Sequence, residues 1–230
     1  MRIEGSNSTL TNLRNAPKVT SGSSGEASQA PKSIGETPPR IVSLADIGSL
    51  AGLFAKGGVV SKLKRKLNKL KRKKCKVTPA KGTIACIDED DLVYLGVEFL
   101  EEFQDDEEVL AGVMAHEWGH SCAEKPKKQE IERLNWDEIF ALRRSHEVLA
   151  DELSGRLLAV MGYKPDGLIN FLMRGKKRTH NLKYHEQEVR KQIILKGYHE
   201  EGQKIRLANE LFPAESYRND YHSILIDDDL

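Results

Sequence analysis

The chain has 230 residues, 31% of them charged and 6% aromatic, with 36 Lys and Arg set against 35 Asp and Glu. That length suits one well-packed domain with tails rather than two full domains, and a net charge of +1 implies no whole-protein attraction to nucleic acid or membrane. Three cysteines, Cys75, Cys86 and Cys122, are too few and too irregularly spaced for a disulfide framework.

Residues 1–40 are rich in Ser, Thr, Asn, Gly and Pro and lack apolar periodicity, which predicts a disordered leader. No charged segment followed by an apolar run stands at the start, so a cleavable signal peptide is not expected. A cytoplasmic location is the default, and export without such a signal stays open. Residues 41–60 are moderately apolar but interrupted by Asp46, Lys56 and Gly57-Gly58. A membrane span needs about 20 predominantly apolar residues, so this stretch reads as one helix packing on the core or lying at an interface.

A basic amphipathic helix is expected over 61–76, with Leu63, Leu67 and Leu70 on one face. Its cations could hold anionic lipid or nucleic acid. The segment could instead cover a cleft as a propeptide, or its leucines could pack while its charges pair with the acidic stretch 88–108. The last is the simplest, because a charge run is usually a solvated face. No aromatic residues are interleaved, so base stacking is not indicated and nucleic acid is not an expected partner. Peripheral contact with an anionic membrane stays open.

Pro79 and Gly82 precede Thr83-Ile84-Ala85-Cys86-Ile87, a β-branched run suited to a strand. Leu92, Leu95, Phe99 and Leu100 have the spacing of a helix over 91–103. Residues 105–108 are all acidic and supply an N-cap and first-turn charges for the next helix, which must end before Pro126. Val109, Leu110, Val113, Met114, Ala115 and Trp118 make that helix apolar on nearly every side, hence buried, and Cys122 reads as a small core residue on it. A further helix runs from about Lys127 to Met161 with a break near Asn135 and is closed by Gly162. Shorter helices follow over 165–173 and 184–198. The expected organisation is a leader (1–40), an apolar then basic helical segment (41–76), a main domain (77–212) and an acidic tail (213–230).

The buried helix carries His116-Glu117-Trp118-Gly119-His120, an HExxH pattern. Histidines four apart project from one helical face, so both imidazoles can reach one ion. The intervening Glu117 sits about 100° round the helix, near enough to activate a water on that ion. Buried polar side chains are costly unless satisfied, and a metal satisfies them.

Catalytic zinc usually takes three protein ligands. Ala123 and Pro126 stand where an extended metzincin pattern requires Gly and His, which excludes that family. A carboxylate on a later helix is the remaining donor. Glu147 stands out because Asp151 follows four residues on, and Asp151 can then accept a hydrogen bond from the far nitrogen of a ligating histidine. Glu130, Glu132 and Glu138 are rivals. His146 falls with Leu142, Leu149, Leu153 and Leu157 on an apolar stripe and reads as a core residue or a support to the ligands.

The pair His116-Glu117-Trp118-Gly119-His120 and Glu147-Val148-Leu149-Ala150-Asp151 resembles a gluzincin. Among gluzincins it is most similar to the HtpX-like and CAAX-prenyl-protease endopeptidases and their small soluble relatives. The likeness extends over residues 77–200. Residues 83–87 resemble the family's strand ahead of a helix and the motif helix, and residues 162–168 resemble the segment after its third ligand. The stretch His185-Glu186-Gln187-Glu188-Val189-Arg190 is similar to a late His-Pro…Glu-Arg element, although no proline follows the histidine and the spacing departs from the family's.

The resemblance implies an α+β, mostly helical zincin-like domain with a small edge sheet and two metal-bearing helices. It implies one catalytic zinc on His116, His120 and Glu147, with Glu117 as base and Asp151 orienting a ligand. It also implies a late histidine or arginine in contact with substrate; His180, His185 and Arg190 are the candidates, His185 and Arg190 the preferred ones. Many relatives have transmembrane helices, which this reading does not find, so membrane substrates are not implied.

The expected activity is therefore a zinc metalloendopeptidase acting on a protein or peptide, with residues 83–87 as the cleft's edge to which an extended peptide adds as a strand. Two alternatives stay open. One is a latent or inactive form in which the leader, basic helix or tail covers the zinc, with Cys75 even supplying a fourth thiolate; an inert thiol on a lysine-rich helix is the simpler reading of Cys75. The other is a lipid- or nucleic-acid-binding module using residues 62–76 around a structural zinc.

Overall fold

The motif helix is the hub about which the other elements are arranged. In the computed structural model, residues 39–72, 74–123, 128–174 and 184–211 are described. The expected leader up to residue 38, the acidic tail and His180 lie outside them. Strand β1 (Arg40–Ile41) leads into a 3-10 helix (Leu44–Leu50) and the short α1 (Ala51–Phe54). Then come α2 (Val59–Lys71), β2 (Lys76–Lys81), β3 (Ala85–Ile87), β4 (Leu92–Gly96), α3 (Val97–Phe103) and α4 (Glu107–Ser121). The chain continues through α5 (Lys128–Ile131), α6 (Trp136–Met161), α7 (Asp166–Arg174) and α8 (Gln187–Leu211). The architecture is α+β and mostly helical, with one mixed sheet in the order β1-β2-β4-β3.

Asp106 caps α4 by accepting a hydrogen bond from Val109 N at 3.0 Å, as the acidic run foretells. From Val109 to Ala115 every side chain is buried, and Trp118 is fully so. An apolar surround of that kind is what a central helix requires. Asn68 of α2 ties three elements together. Its amide donates to Cys75 O and accepts from Cys75 N, both at 3.0 Å, and also accepts from Trp118 Nε1 at 3.2 Å. Cys75 is thus a buried residue entering β2, beyond the lysine-rich helix on which it was expected. Asn135 and Glu138 form a capping box at the start of α6, and Gly162, with φ +79°, closes it in the left-handed conformation.

Four expectations are corrected. Residues 41–60 are not one helix: Ile41 is in a strand, Gly48 kinks the 3-10 helix at φ +56°, and the segments Leu44–Phe54 and Val59–Lys71 meet at 64°. Gly58 permits that corner, since a Cβ there would stand 2.2 Å from Gly52 O. Among the described residues no single helix is long and apolar enough to cross a membrane.

Residues 91–103 are not one helix either, because β4 occupies Leu92–Gly96 before α3 begins. Val93 and Leu95 point alternately into the core while the Tyr94 hydroxyl donates to Asp88 at 2.8 Å. A short apolar run satisfies either periodicity, and long-range pairing with β2 decides it here. That strand β2 was itself missed because Pro79 lies inside it. Val42 N donates to Pro79 O at 3.0 Å, and β1 covers only two residues of this flank, so the missing proline N–H does little harm.

The buried face of α6 is Ala150, Asp151, Ser154, Gly155, Leu157 and Leu158, not the stripe through Leu149, which is 46% exposed. Small residues face inward because α6 is held tightly between α4 and α8. Lastly, α8 starts later and runs longer than the expected 184–198.

Candidate metal centre

Close helix crossings bring the polar groups together. A Cβ on Gly119 would lie 2.7 Å from Ala150 Cα, so the backbones of α4 and α6 nearly touch at this point. One turn away, His116 and His120 of α4 therefore face Glu147 and Asp151 of α6. The two Nε2 atoms are 3.1 Å apart, His116 Nε2 is 3.4 Å from Glu147 Oε2, and His120 Nε2 is 3.5 Å from Glu147 Oε1. Among the described residues these three side chains form the one group able to hold a metal ion. Of the rivals with described side chains, Glu132 is exposed and Glu138 is engaged in the cap of α6.

The residues fit a cation. Glu147 Oε2 is buried and has no hydrogen-bond partner, an expense that a bound ion removes. With zinc bonds of 2.0–2.1 Å, the edges of a tetrahedral site are about 3.3 Å. The separation of the two imidazole nitrogens and the approach of each to its nearer Glu147 oxygen, 3.1–3.5 Å, lie close to that value.

Behind the donors, His116 Nδ1 lies 3.0 Å from Asp151 Oδ1 but off the line of a good hydrogen bond. Arg190 of α8 clamps the same carboxylate through Nε and Nη2 at 2.7 and 2.8 Å and approaches Glu147 Oε2 at 3.5 Å. The side chain of Asp151 is only 1% exposed, so this fork supplies the charge that makes its burial tolerable.

These contacts set the protonation. Burial pushes His116 down, but Asp151 and Glu147 outweigh it and raise the imidazole to about 10. Asp151 and Glu147 thus favour a proton on this ring while no cation is bound, and a cation entering the site would displace it. His120 falls to about 4, chiefly by burial and then by His116, leaving it neutral. Burial would raise Asp151, and Arg190 with His116 overcomes it and holds the carboxyl below its ordinary range. Glu147 is likewise held down, by His116 against the effect of burial. Glu117 is different. Burial, with the Glu147 charge adding to it, raises it to about 7 against the pull of His116 and Arg190.

A cleft of about 560 Å³ opens over the centre. Strand β3 forms one wall, and among the described residues it stands at the edge of the sheet beside β4. Val113, Leu168, Phe171 and Leu172 provide an apolar wall, and His116, Glu117, His120 and Glu147 line the polar one.

Of the residues singled out in the sequence, His116, Glu117, His120, Glu147, Asp151 and Arg190 converge. His185 does not. It lines a separate groove beside Ala141, Arg144, Ser145, Val148 and Leu149. Cys75 is in the core and outside the donor group, and Cys122 is a half-buried C-cap rather than a core residue. One residue of the cleft went unassigned. Tyr184 stacks on the Arg190 guanidinium at 5.2 Å from ring centroid, and nothing in its non-periodic surroundings signals this. His146, read from sequence as a core residue or a support to the ligands, lines the cleft next to Glu147. No protein-family model, curated protein or solved structure matches this chain.

Proposed function

We propose that this protein is a zinc-dependent metalloendopeptidase. The observation that carries the reading is the convergence of two imidazole nitrogens and a carboxylate, one of whose oxygens is buried without a hydrogen bond, beside the Glu117 carboxyl in the same cleft. Two nitrogens and one oxygen suit zinc, and three protein donors leave a position open, as catalytic rather than structural sites do.

Zinc held there would polarise a scissile carbonyl and make water a stronger nucleophile at neutral pH. Glu117 is the base: it takes the proton as the water oxygen adds to the carbonyl carbon, then delivers it to nitrogen as the C–N bond breaks. Before a cation binds, burial shifts this carboxyl upward, the direction that suits a group which must both take and return a proton. Asp151 and Arg190 do not touch substrate in this scheme; they fix the His116 ring and the Glu147 carboxylate. Strand β3 stands at the edge of the sheet, where an extended peptide would align, with side chains reaching the apolar wall of α7. The gluzincin resemblance agrees with the same assignment of roles.

A peptide library incubated with and without chelator tests this. Cleavage is expected with zinc and lost without it. Glu117→Gln should bind one zinc per chain yet lose at least about a hundredfold in rate. Cleavage by Glu117→Gln at the parental rate would sink the mechanism, and chelator-resistant cleavage would sink the zinc.

A further inference from the structure

The charge of this chain is balanced only on average. From Asp46 to Asp88 it contains twelve Lys and Arg and no intervening Asp or Glu. Helix α2 turns that bias into a surface. Its Val60, Leu63 and Leu67 are buried, whereas Lys62, Arg65, Lys69 and Arg72 recur at three- and four-residue spacing on the opposite face and are all exposed. Ten residues of helix make this row about 15 Å long. Among the described residues Lys62, Arg65 and Arg72 form no ion pair, so the acidic stretch 88–108 does not neutralise them. Leaving Lys62, Arg65 and Arg72 uncompensated costs self-repulsion unless an external anion meets them.

We propose that the α2 face docks this protein on an anionic lipid surface. Neighbouring elements favour lipid over nucleic acid. The 3-10 helix packs on α1, and α1 on α2, while β1 joins β2 at Arg40↔Lys81. Ile41 and Leu44 in these elements are 57% and 46% exposed, apolar groups that a bilayer interface accommodates and a phosphate backbone does not use. No aromatic residue occurs between Phe54 and Asp88, so no platform exists for stacking bases. Because the leucines of α2 are occupied inside the fold, the attachment is peripheral and electrostatic, not insertion of that helix. The cleft lies against β3, at the opposite edge of the sheet from β1. Attachment therefore leaves the peptidase reading untouched and does not depend on it.

Co-sedimentation of the full chain with vesicles tests the proposal. Binding is expected to vesicles of phosphatidylcholine with about 30% phosphatidylserine, and not to phosphatidylcholine alone. It should disappear as NaCl rises from about 0.1 M to about 0.5 M. The triple variant Lys62→Gln, Arg65→Gln, Lys69→Gln should bind about a hundredfold more weakly, with a parental melting curve as proof of folding. Lys62→Arg with Lys69→Arg should bind as the parent does. Equal binding to both vesicle types, or a triple variant that binds like the parent, overturns the proposal. So does a random-sequence duplex DNA of about 20 base pairs that outcompetes the vesicles at equal phosphate.

Discussion

Asp151 meets two cationic partners in a space that excludes water. Its Oδ2 accepts from Arg190 Nε at 2.7 Å, and its Oδ1 stands 3.0 Å from His116 Nδ1. Asn in its place keeps the shape and removes the charge, so Arg190 is left without its counter-ion and the His116 ring loses its anchor. We expect Asp151→Asn to weaken zinc binding about 10- to 100-fold, measured by competition with a chromogenic chelator. It should also cost on the order of 3 kcal/mol in urea unfolding, since breaking one side of a buried pair strands the other. Retention of parental affinity would mean that Asp151 serves the fold and not the centre. The relation of Asp151 to Glu147 was legible as a four-residue step on one helix. The pairing with Arg190 joins residues 39 apart, and only the meeting of α6 and α8 creates it. Tyr184 escaped notice for the same reason.

That meeting of α6 and α8 depends on glycine. A Cβ on Gly197 would lie 2.2 Å from Glu152 O, and one on Gly155 would lie 2.1 Å from Ile194 O, so the two helices approach through mutual gaps. Gly197→Ala must push α8 outward and carry Arg190 with it. A loss of about 1–3 kcal/mol is expected, together with weaker zinc binding. Gly202, further along the same helix, has nothing within 4 Å of its would-be Cβ. Gly202→Ala should stabilise by about 0.5–1 kcal/mol through helix propensity alone. Thermal or urea unfolding reads both, and two changes of the same sign would refute the close-approach account. Elements dominated by local rules, such as α4 with its acidic cap and α6 with Asn135 and Gly162, were readable from sequence. Strand β4 was not, because Leu92 to Leu95 fit two periodicities and the matter is settled by parallel pairing with β2, a separate stretch of the chain. Small inward residues likewise hide the buried face of α6 from any search for apolar stripes.

At the scale of the whole molecule, the centre draws on α4, α6 and α8, elements that an unfolded chain holds far apart. The α+β, mostly helical class agrees with what the resemblance implied, whereas the sheet order rests on non-local pairing that no pattern encodes. An ion gripped by α4 and α6 binds the folded state alone and must stabilise it by linkage. Free zinc at about a hundred times its dissociation constant adds about 2.7 kcal/mol. For a chain of this size each kcal/mol moves the melting temperature by about 2–4 °C. Restoring zinc to chelated protein should therefore raise the melting temperature by about 5–11 °C in calorimetry. The variants divide the effect by role. Glu117→Gln alters the base and no donor, so it should show the parental rise. Glu147→Ala removes the oxygen donor that joins α6 to α4 and should show little or none. Were Glu147→Ala to keep the full rise while Glu117→Gln lost it, the carboxylate ligand would be Glu117, and no base would remain in the cleft to carry the reaction.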